Sequence, residues 1–247
     1  MHTDTTSRAL VVTGAGSGIG RAVAHAVASR PETLVLAGRR RTALEETADQ
    51  LTPSVPPLLV DADLSTIDGA SRLAEAVADR SVAGLALVAG GVGASSDRPG
   101  LAGVAQTWES SWRMNVLTAV LTVEALRDDL ADGAGIVALG SIAGTRGGGA
   151  YGASKAALTP WVRDLALDLG PRGITANVVA PGYTEDTEFF GTRMTPQRRE
   201  RLLGETFTRR PGRPDDVAGL VAYLLSRAGR HISGQVLHVN GGALLAG

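Results

Sequence analysis

Cysteine is absent from this 247-residue sequence, which excludes disulfides, thiol nucleophiles and thiolate-held metals and leaves the redox compartment open. Aromatic residues make up only 4%, so the core must be built from Val, Leu, Ile and Ala. No uncharged apolar run approaches the roughly 20 residues needed to cross a bilayer. The N-terminal stretch MHTDTTSRALVV has no basic region followed by an apolar one, so a soluble, cytoplasmic protein with no membrane partner is expected. Neither sign of charge dominates: the formal net charge is -1 and the basic residues are scattered, without the stripe a nucleic-acid binder needs. The four histidines have no evident triad partner. The sharpest scarcity is of lysine. Of 24 basic residues a single one is Lys, and it is Lys155, inside YGASKAAL at 151–158.

Glycine, by contrast, is plentiful at 32 residues, a sign of many tight turns and close backbone approaches. Aliphatic runs alternate with longer amphipathic ones along the chain. The strand candidates are RALVVTG (8–14), TLVLAG (33–38), PLLVDA (57–62), GLALVAG (84–90), GIVALGS (135–141), GITANVVAP (173–181) and QVLHVN (235–240), bounded by Gly, Pro or Asp. Helical periodicity fills 18–30, 41–51, 66–79, 104–130, 151–169 and 214–226. The strands lack polar/apolar alternation, as strands buried on both faces do. These features predict an α/β fold: one domain over 1–247, a doubly wound parallel sheet of about seven strands with helices on both faces, binding ligands beyond the carboxyl ends of the strands. The polar, Arg-rich segment 182–213 differs in texture and is expected to be a lid or substrate loop holding a short helix.

Directly after the first strand comes TGAGSGIG, Thr13 to Gly20, between a predicted strand and a predicted helix, which is the context a dinucleotide turn requires. The candidate cradle is Gly14, Gly16, Ser17, Gly18, Ile19 and Gly20. Gly14 permits a tight exit from the strand, Gly18 lets backbone approach a pyrophosphate, Gly20 permits close helix packing, and the helix N-terminus offers free N–H groups. No lysine follows the last glycine, which excludes an NTPase phosphate loop. The second strand ends Ala37-Gly38-Arg39-Arg40-Arg41. A carboxylate about 20 residues past the glycines would hold the ribose 2′-hydroxyl of NAD, whereas an arginine accommodates a 2′-phosphate. With no carboxylate there, Arg39 points to NADP(H) in preference to NAD(H), with Ser17 as a second donor. Arg40 and Arg41 are expected to be surface charge at a helix start. Asp63 and Leu64, beyond the third strand, lie at the rim where an adenine would sit.

Residues at i and i+4 share a helix face, so Tyr151 and Lys155 project together. A phenol titrates near about pH 10, and an adjacent ammonium favours the phenolate and lowers that value. A compact ammonium also suits a pair of ribose hydroxyls better than a wide guanidinium. That is a reason for Lys where the chain otherwise uses Arg.

From TGAGSGIG through Ser141, Tyr151-Gly152-Ala153-Ser154-Lys155 and Pro181-Gly182 to Gly234-Gln235 and Asn240-Gly241-Gly242, the chain resembles the short-chain dehydrogenase/reductase family, and among its members the 3-oxoacyl-acyl-carrier-protein reductases. The resemblance implies a Rossmann-like fold and hydride exchange between a nicotinamide and a carbonyl or alcohol. It implies that Tyr151 is the general acid or base, that Lys155 binds the nicotinamide ribose, that Ser141 holds the substrate oxygen, and that Asn115 holds a water relaying protons from Lys155. Pro181, Gly182 and Thr184 would meet the carboxamide, with Thr187 near the phosphates. Where the family commonly has Asn-Asn-Ala-Gly, this chain has Val88-Ala89-Gly90-Gly91, which leaves Ala89, Gly90 and Gly91 to meet the ribose through backbone. The stretch IAGTRGGGA between Ser141 and Tyr151 is shorter than is usual.

The expected activity is NADPH-dependent hydride transfer between the nicotinamide and a small carbonyl or secondary alcohol, with 3-oxoacyl thioester reduction the commonest activity of chains that look like this. Oxidation of an alcohol or sugar by the same groups, a catalytically silent nucleotide-binding protein, and a methyltransferase with a similar turn are the alternatives. No metal is expected: Glu185, Asp186 and Glu188 read as solvated loop charges. Apolar stripes on helices 104–130 and 151–169 point to a homo-oligomer, and the resemblance implies a dimer or tetramer. The loops 91–100, 142–150 and 183–210 are expected to shape the substrate pocket.

Overall fold

Consecutive strand residues point to opposite faces, so a strand such as RALVVT, with Ala9 to Thr13 all buried, needs packing on both sides. The computed structural model describes residues 8–93, 95–189, 191 and 194–245 and supplies both layers. The N-terminal stretch 1–7, residues 246–247, and Ala94, Phe190, Thr192 and Arg193 of the expected pocket loops lie outside the described residues. In chain order the elements are β1 (Arg8–Thr13), α1 (Gly18–Val27), β2 (Thr33–Gly38), α2 (Arg41–Asp49), β3 (Leu58–Asp61), α3 (Ile67–Val77), β4 (Ser81–Leu87), α4 (Gly100–Trp112), α5 (Thr118–Leu126), β5 (Leu130–Leu139), α6 (Ala143–Arg146), α7 (Gly149–Leu169), β6 (Thr175–Pro181), α8 (Pro196–Gly204), α9 (Pro214–Leu224) and β7 (Val236–Val239).

The seven strands form one parallel sheet in the order β3-β2-β1-β4-β5-β6-β7. Val11, Val35, Leu85, Ile136 and Val178 face a layer that includes Leu73 of α3, Val123 and Leu126 of α5, and Leu158 and Val162 of α7. Their neighbours Leu10, Val12, Leu36, Val137 and Val179 face Val23 and Val27 of α1, Leu44 of α2, and Val217 and Val221 of α9. Each such side chain contributes about 1.5–3 kcal/mol by leaving water.

The continuous helix expected over 104–130 is three pieces. A π turn, Arg113–Leu117, joins α4 to α5, and Leu130 already belongs to β5. Leu130 pairs with Val82 and Gly135 with Gly84, so the β5 side bulges between them, with Gly133 at φ +74°. Leu130 fell on the helical period by coincidence. At the other edge β4 and β5 end at Leu87 and Leu139, sooner than expected, which frees 88–91 and 140–142 as loops where the strands finish.

Candidate active site

The strand order reverses between β1 and β4, the point beyond whose carboxyl ends open parallel sheets bind their ligands. Gly14 leaves β1 at φ +67°, and a Cβ there would stand 2.9 Å from the Cα of Ala89. A Cβ at Gly20 would stand 2.0 Å from the carbonyl oxygen of Gly14, so α1 can pack this closely on its own turn only with glycine there. Arg21 pins the turn to α2, donating to the Gly16 carbonyl at 2.7 Å and to Thr47 Oγ1 at 3.0 Å. Ser17 is the N-cap of α1 yet makes no side-chain cap bond, which leaves its hydroxyl and the leading N–H groups to an anion. Ile19 packs against the core beneath. The turn therefore fits a pyrophosphate.

Of the three consecutive arginines, two are engaged. Arg40 donates to both oxygens of Glu188, at 2.8 and 3.1 Å, and Arg41 to Glu45 at 2.9 Å and the Leu59 carbonyl at 3.1 Å. Arg39 is exposed and makes no hydrogen bond or ion pair with any described residue. Asp63 accepts from the Ser65 hydroxyl at 2.7 Å and the Ser65 N–H at 3.0 Å; these bonds, aided by the charges of Arg39 and Arg113, hold its carboxyl below the usual range. The side chain of Leu64, expected beside it at the rim, is instead enclosed in the core at 3% exposure, because a leucine in the turn between β3 and α3 gains more by packing inward.

Beyond β4, the missing amides of the 88–91 loop are replaced from elsewhere. Thr13 Oγ1 accepts the Ala89 N–H at 3.0 Å. Asn115, held in the π turn, takes the Gly91 N–H on Oδ1 at 3.0 Å and gives Nδ2 to the carbonyls of Gly91, at 2.9 Å, and Ser111, at 3.0 Å. Its amide hydrogens are thus both engaged by backbone, so its demonstrable work is to fix this loop; Oδ1 keeps a lone pair. Gly90 lies between Asn115 and Lys155, since a Cβ there would stand 2.8 Å from Asn115 Oδ1 and 3.0 Å from Lys155 Nζ. A π turn that presents a buried polar side chain is a frequent functional device.

Lys155 is 4% exposed, donates to the Leu139 carbonyl at 2.7 Å, and is pushed down to about 8 by burial. Tyr151, one turn earlier on α7, is pushed up to about 12 by burial, partly offset by its hydrogen bond with Ser141. The expectation that Lys155 lowers the phenol pKa is therefore not met in the protein alone. The ammonium turns to a strand carbonyl, and desolvation of the phenolate outweighs it. Ser141 follows β5, and its Oγ also accepts the Ala143 N–H at 3.1 Å. The run Gly147 to Gly149 that delivers the chain into α7 has φ of +88°, +144° and +62°, a path closed to larger residues.

After β6 the chain runs back past the glycine turn and Tyr151. Pro181 accepts from the Ile142 N–H at 3.0 Å, and Gly182 donates to Val239 at 3.0 Å. Thr184 is buried with its hydroxyl on the Gly182 carbonyl at 3.3 Å. Thr187 lies against the glycine turn, its Cγ2 3.3 Å from where a Cβ on Gly18 would be. Glu188 pairs with Arg40, and the Phe189 ring stands 5.3 Å from that of Tyr151, tilted by 56°. Glu185 accepts from Tyr183 at 2.9 Å and Arg199 at 2.5 Å. Phe189 and Arg21 are the residues that reading the sequence missed. An aromatic pair at 189–190 in so polar a segment was the available signal for Phe189; Arg21 had none.

The family model for Enoyl-(Acyl carrier protein) reductase matches residues 14–243. The chain is 33% identical over 238 residues to galactitol 2-dehydrogenase (L-tagatose-forming) of Cereibacter sphaeroides, covering 94% of this chain and 92% of that one. It is 30% identical over 244 residues to the 3-oxoacyl-(acyl-carrier-protein) reductase FabG of Aquifex aeolicus, covering 94% and 95%. Among solved structures it superposes on a short chain dehydrogenase from Burkholderia cenocepacia in complex with NADP with a TM-score of 0.84, at 28% identity, over 98% of this chain and 99% of that one. A likeness that runs from the glycine turn to the last strand, shared with dehydrogenases and reductases alike, makes this chain a member of the short-chain dehydrogenase/reductase family, an NAD(P)-dependent oxidoreductase acting on small molecules.

Proposed function

We propose that the protein uses NADPH to reduce a ketone, with 3-oxoacyl thioesters the first substrate class to test. The observation that carries the reaction is the closeness of the Tyr151 phenol to the Ser141 hydroxyl beyond the carboxyl end of β5, beside the Gly90 loop that Lys155 and Asn115 flank. NADPH, when bound, supplies the hydride. Ser141 donates a hydrogen bond to the substrate carbonyl oxygen and fixes its place, and Tyr151 gives that oxygen its proton. The phenol, pushed up to about 12 by burial, carries at neutral pH the proton that a general acid gives. Lys155 would hold the nicotinamide ribose, and Asn115 keeps the Gly90 loop in register and would offer its remaining lone pair to a relaying water. Gly14 to Gly20 receive the pyrophosphate, Arg39 the 2′-phosphate, Asp63 the adenine edge, and Pro181, Gly182 and Thr184 the carboxamide. Segment 182–213 acts as the lid over both ligands, within the single domain 1–247.

The likeness to a galactitol dehydrogenase supports a second reading, oxidation of a polyol by the same groups in reverse. Fluorescence titration with NADPH and NADH separates the cofactor cases: NADPH is expected to bind at least tenfold tighter, and Arg39→Ala to abolish that margin. Tight NADH binding unaffected by Arg39→Ala overturns the cofactor assignment. In a panel of 3-oxoacyl thioesters and polyols, turnover that disappears in Tyr151→Phe while NADPH still binds identifies the substrate; equal turnover by that variant refutes the role of Tyr151. A homo-oligomer, dimer or tetramer, is supported by the exposed stripe on α4. No helix among the described residues is long and apolar enough to cross a membrane, and the cytoplasm, where NADPH is held reduced, suits the activity.

A further inference from the structure

At the end of the sheet where the strands begin, opposite the site above, lies a polar cavity of about 290 Å³ lined by Arg8, Arg30, Glu32, Arg227 and Arg230 with the chain at Gly133 and Leu225. Two of its charges satisfy each other. Arg30 donates to Glu32 at 3.0 and 3.2 Å and to the Leu225 carbonyl, past the end of α9, at 2.9 Å. Burial pushes Glu32 up, but the bond and charge of Arg30, with Arg8 behind, outweigh this and hold it ionised. The other three guanidiniums, Arg8, Arg227 and Arg230, make no hydrogen bond or ion pair with any described residue. Arg8 Nε is buried with no partner, a donor withdrawn from water and left unsatisfied, which costs stability. The Arg230 guanidinium lies over Gly133, where a Cβ would stand 3.5 Å from Nη2. Three cations around one cavity with one already neutralised carboxylate repel one another, and the group that answers them is an oxyanion met by planar donor forks.

We infer that this cavity binds a phosphate-type dianion, free or as the phosphoryl end of a larger metabolite, at a site separate from the cofactor site. The test follows the thermal unfolding midpoint of the full chain against inorganic phosphate, with sodium chloride matching ionic strength, and repeats it with glycerol phosphate to distinguish the free ion from a monoester. The expected result is a rise in midpoint beyond the chloride control in the wild type and equally in Arg39→Ala, with about tenfold more phosphate needed for the same rise in Arg227→Gln and in Arg230→Gln. Both are exposed arginines, so these variants fold; Arg8→Gln is an additional arm. Saturating NADPH leaves the rise in place. No rise beyond chloride, an undiminished rise in Arg227→Gln and Arg230→Gln, or a rise lost in Arg39→Ala or with NADPH overturns the inference.

Discussion

Gly90 has no room to grow. A methyl group there would be driven against Asn115 Oδ1 and Lys155 Nζ, at 2.8 and 3.0 Å, so Gly90→Ala must displace the loop or both polar ends. A drop of tenfold or more in kcat/KM with a thermal midpoint within a few degrees of the wild type is expected; unchanged kinetics would mean that neither end needs its present place. Lys155 has a consequence for stability. Its pKa is about 8 in the fold against the ordinary 10.5, so between these values the unfolded chain holds a proton the native chain has released, and stability rises with pH. The gain from pH 8 to pH 10 is about 2 kcal/mol. Tyr151 acts oppositely from pH 10 to 12, where the native chain keeps a proton the unfolded one has lost. Urea unfolding at pH 8 and pH 10, compared with Lys155→Met, isolates the lysine contribution: the variant should lack that rise, and an equal rise in both would place its origin elsewhere.

At the scale of elements, the strands were legible because β-branched and aliphatic runs between glycines have few other uses, and the turn after β1 was legible because Gly14 and Gly20 answer to contacts within a few residues of themselves. Arg39 and the Tyr151–Lys155 pair were equally local. What stayed hidden was set by distant partners: the π turn that aims Asn115 at Gly91, the inward packing of Leu64, and the contact of Phe189 with Tyr151, made across 38 positions of sequence. Adjacent residues Thr187, Glu188 and Phe189 touch the glycine turn, Arg40 and the Tyr151 ring respectively. Their ion pair is solvent-exposed and worth at most about 1 kcal/mol, so the ring is the stronger tie to the reacting end. Phe189→Ala should raise KM for the carbonyl substrate severalfold while NADPH affinity changes less than threefold; the reverse pattern would show the segment serving the nucleotide rather than the substrate.

For the whole molecule, α4 leaves Leu101, Val104, Trp108 and Trp112 exposed at helical spacing, by 88%, 54%, 49% and 46%, and α7 leaves Leu167 exposed. Four large apolar side chains on one face of one helix are more than a monomer ordinarily shows to water. Light scattering should therefore report a dimer or tetramer, and Trp108→Glu should lower the mass toward that of the 25.3 kDa chain; a wild-type monomer at micromolar concentration would refute the oligomer. The solitary lysine also makes the molecule its own gauge of integrity. A protease that cuts only after lysine has a single target bond in the entire polypeptide, and that bond is locked inside α7 with the side chain almost wholly enclosed. The native protein should resist it, and every unfolded copy should yield the same two fragments, so a simple gel counts the open population molecule by molecule. For the same reason, reagents and enzymes that act on lysine side chains will find no target on the surface of the folded protein.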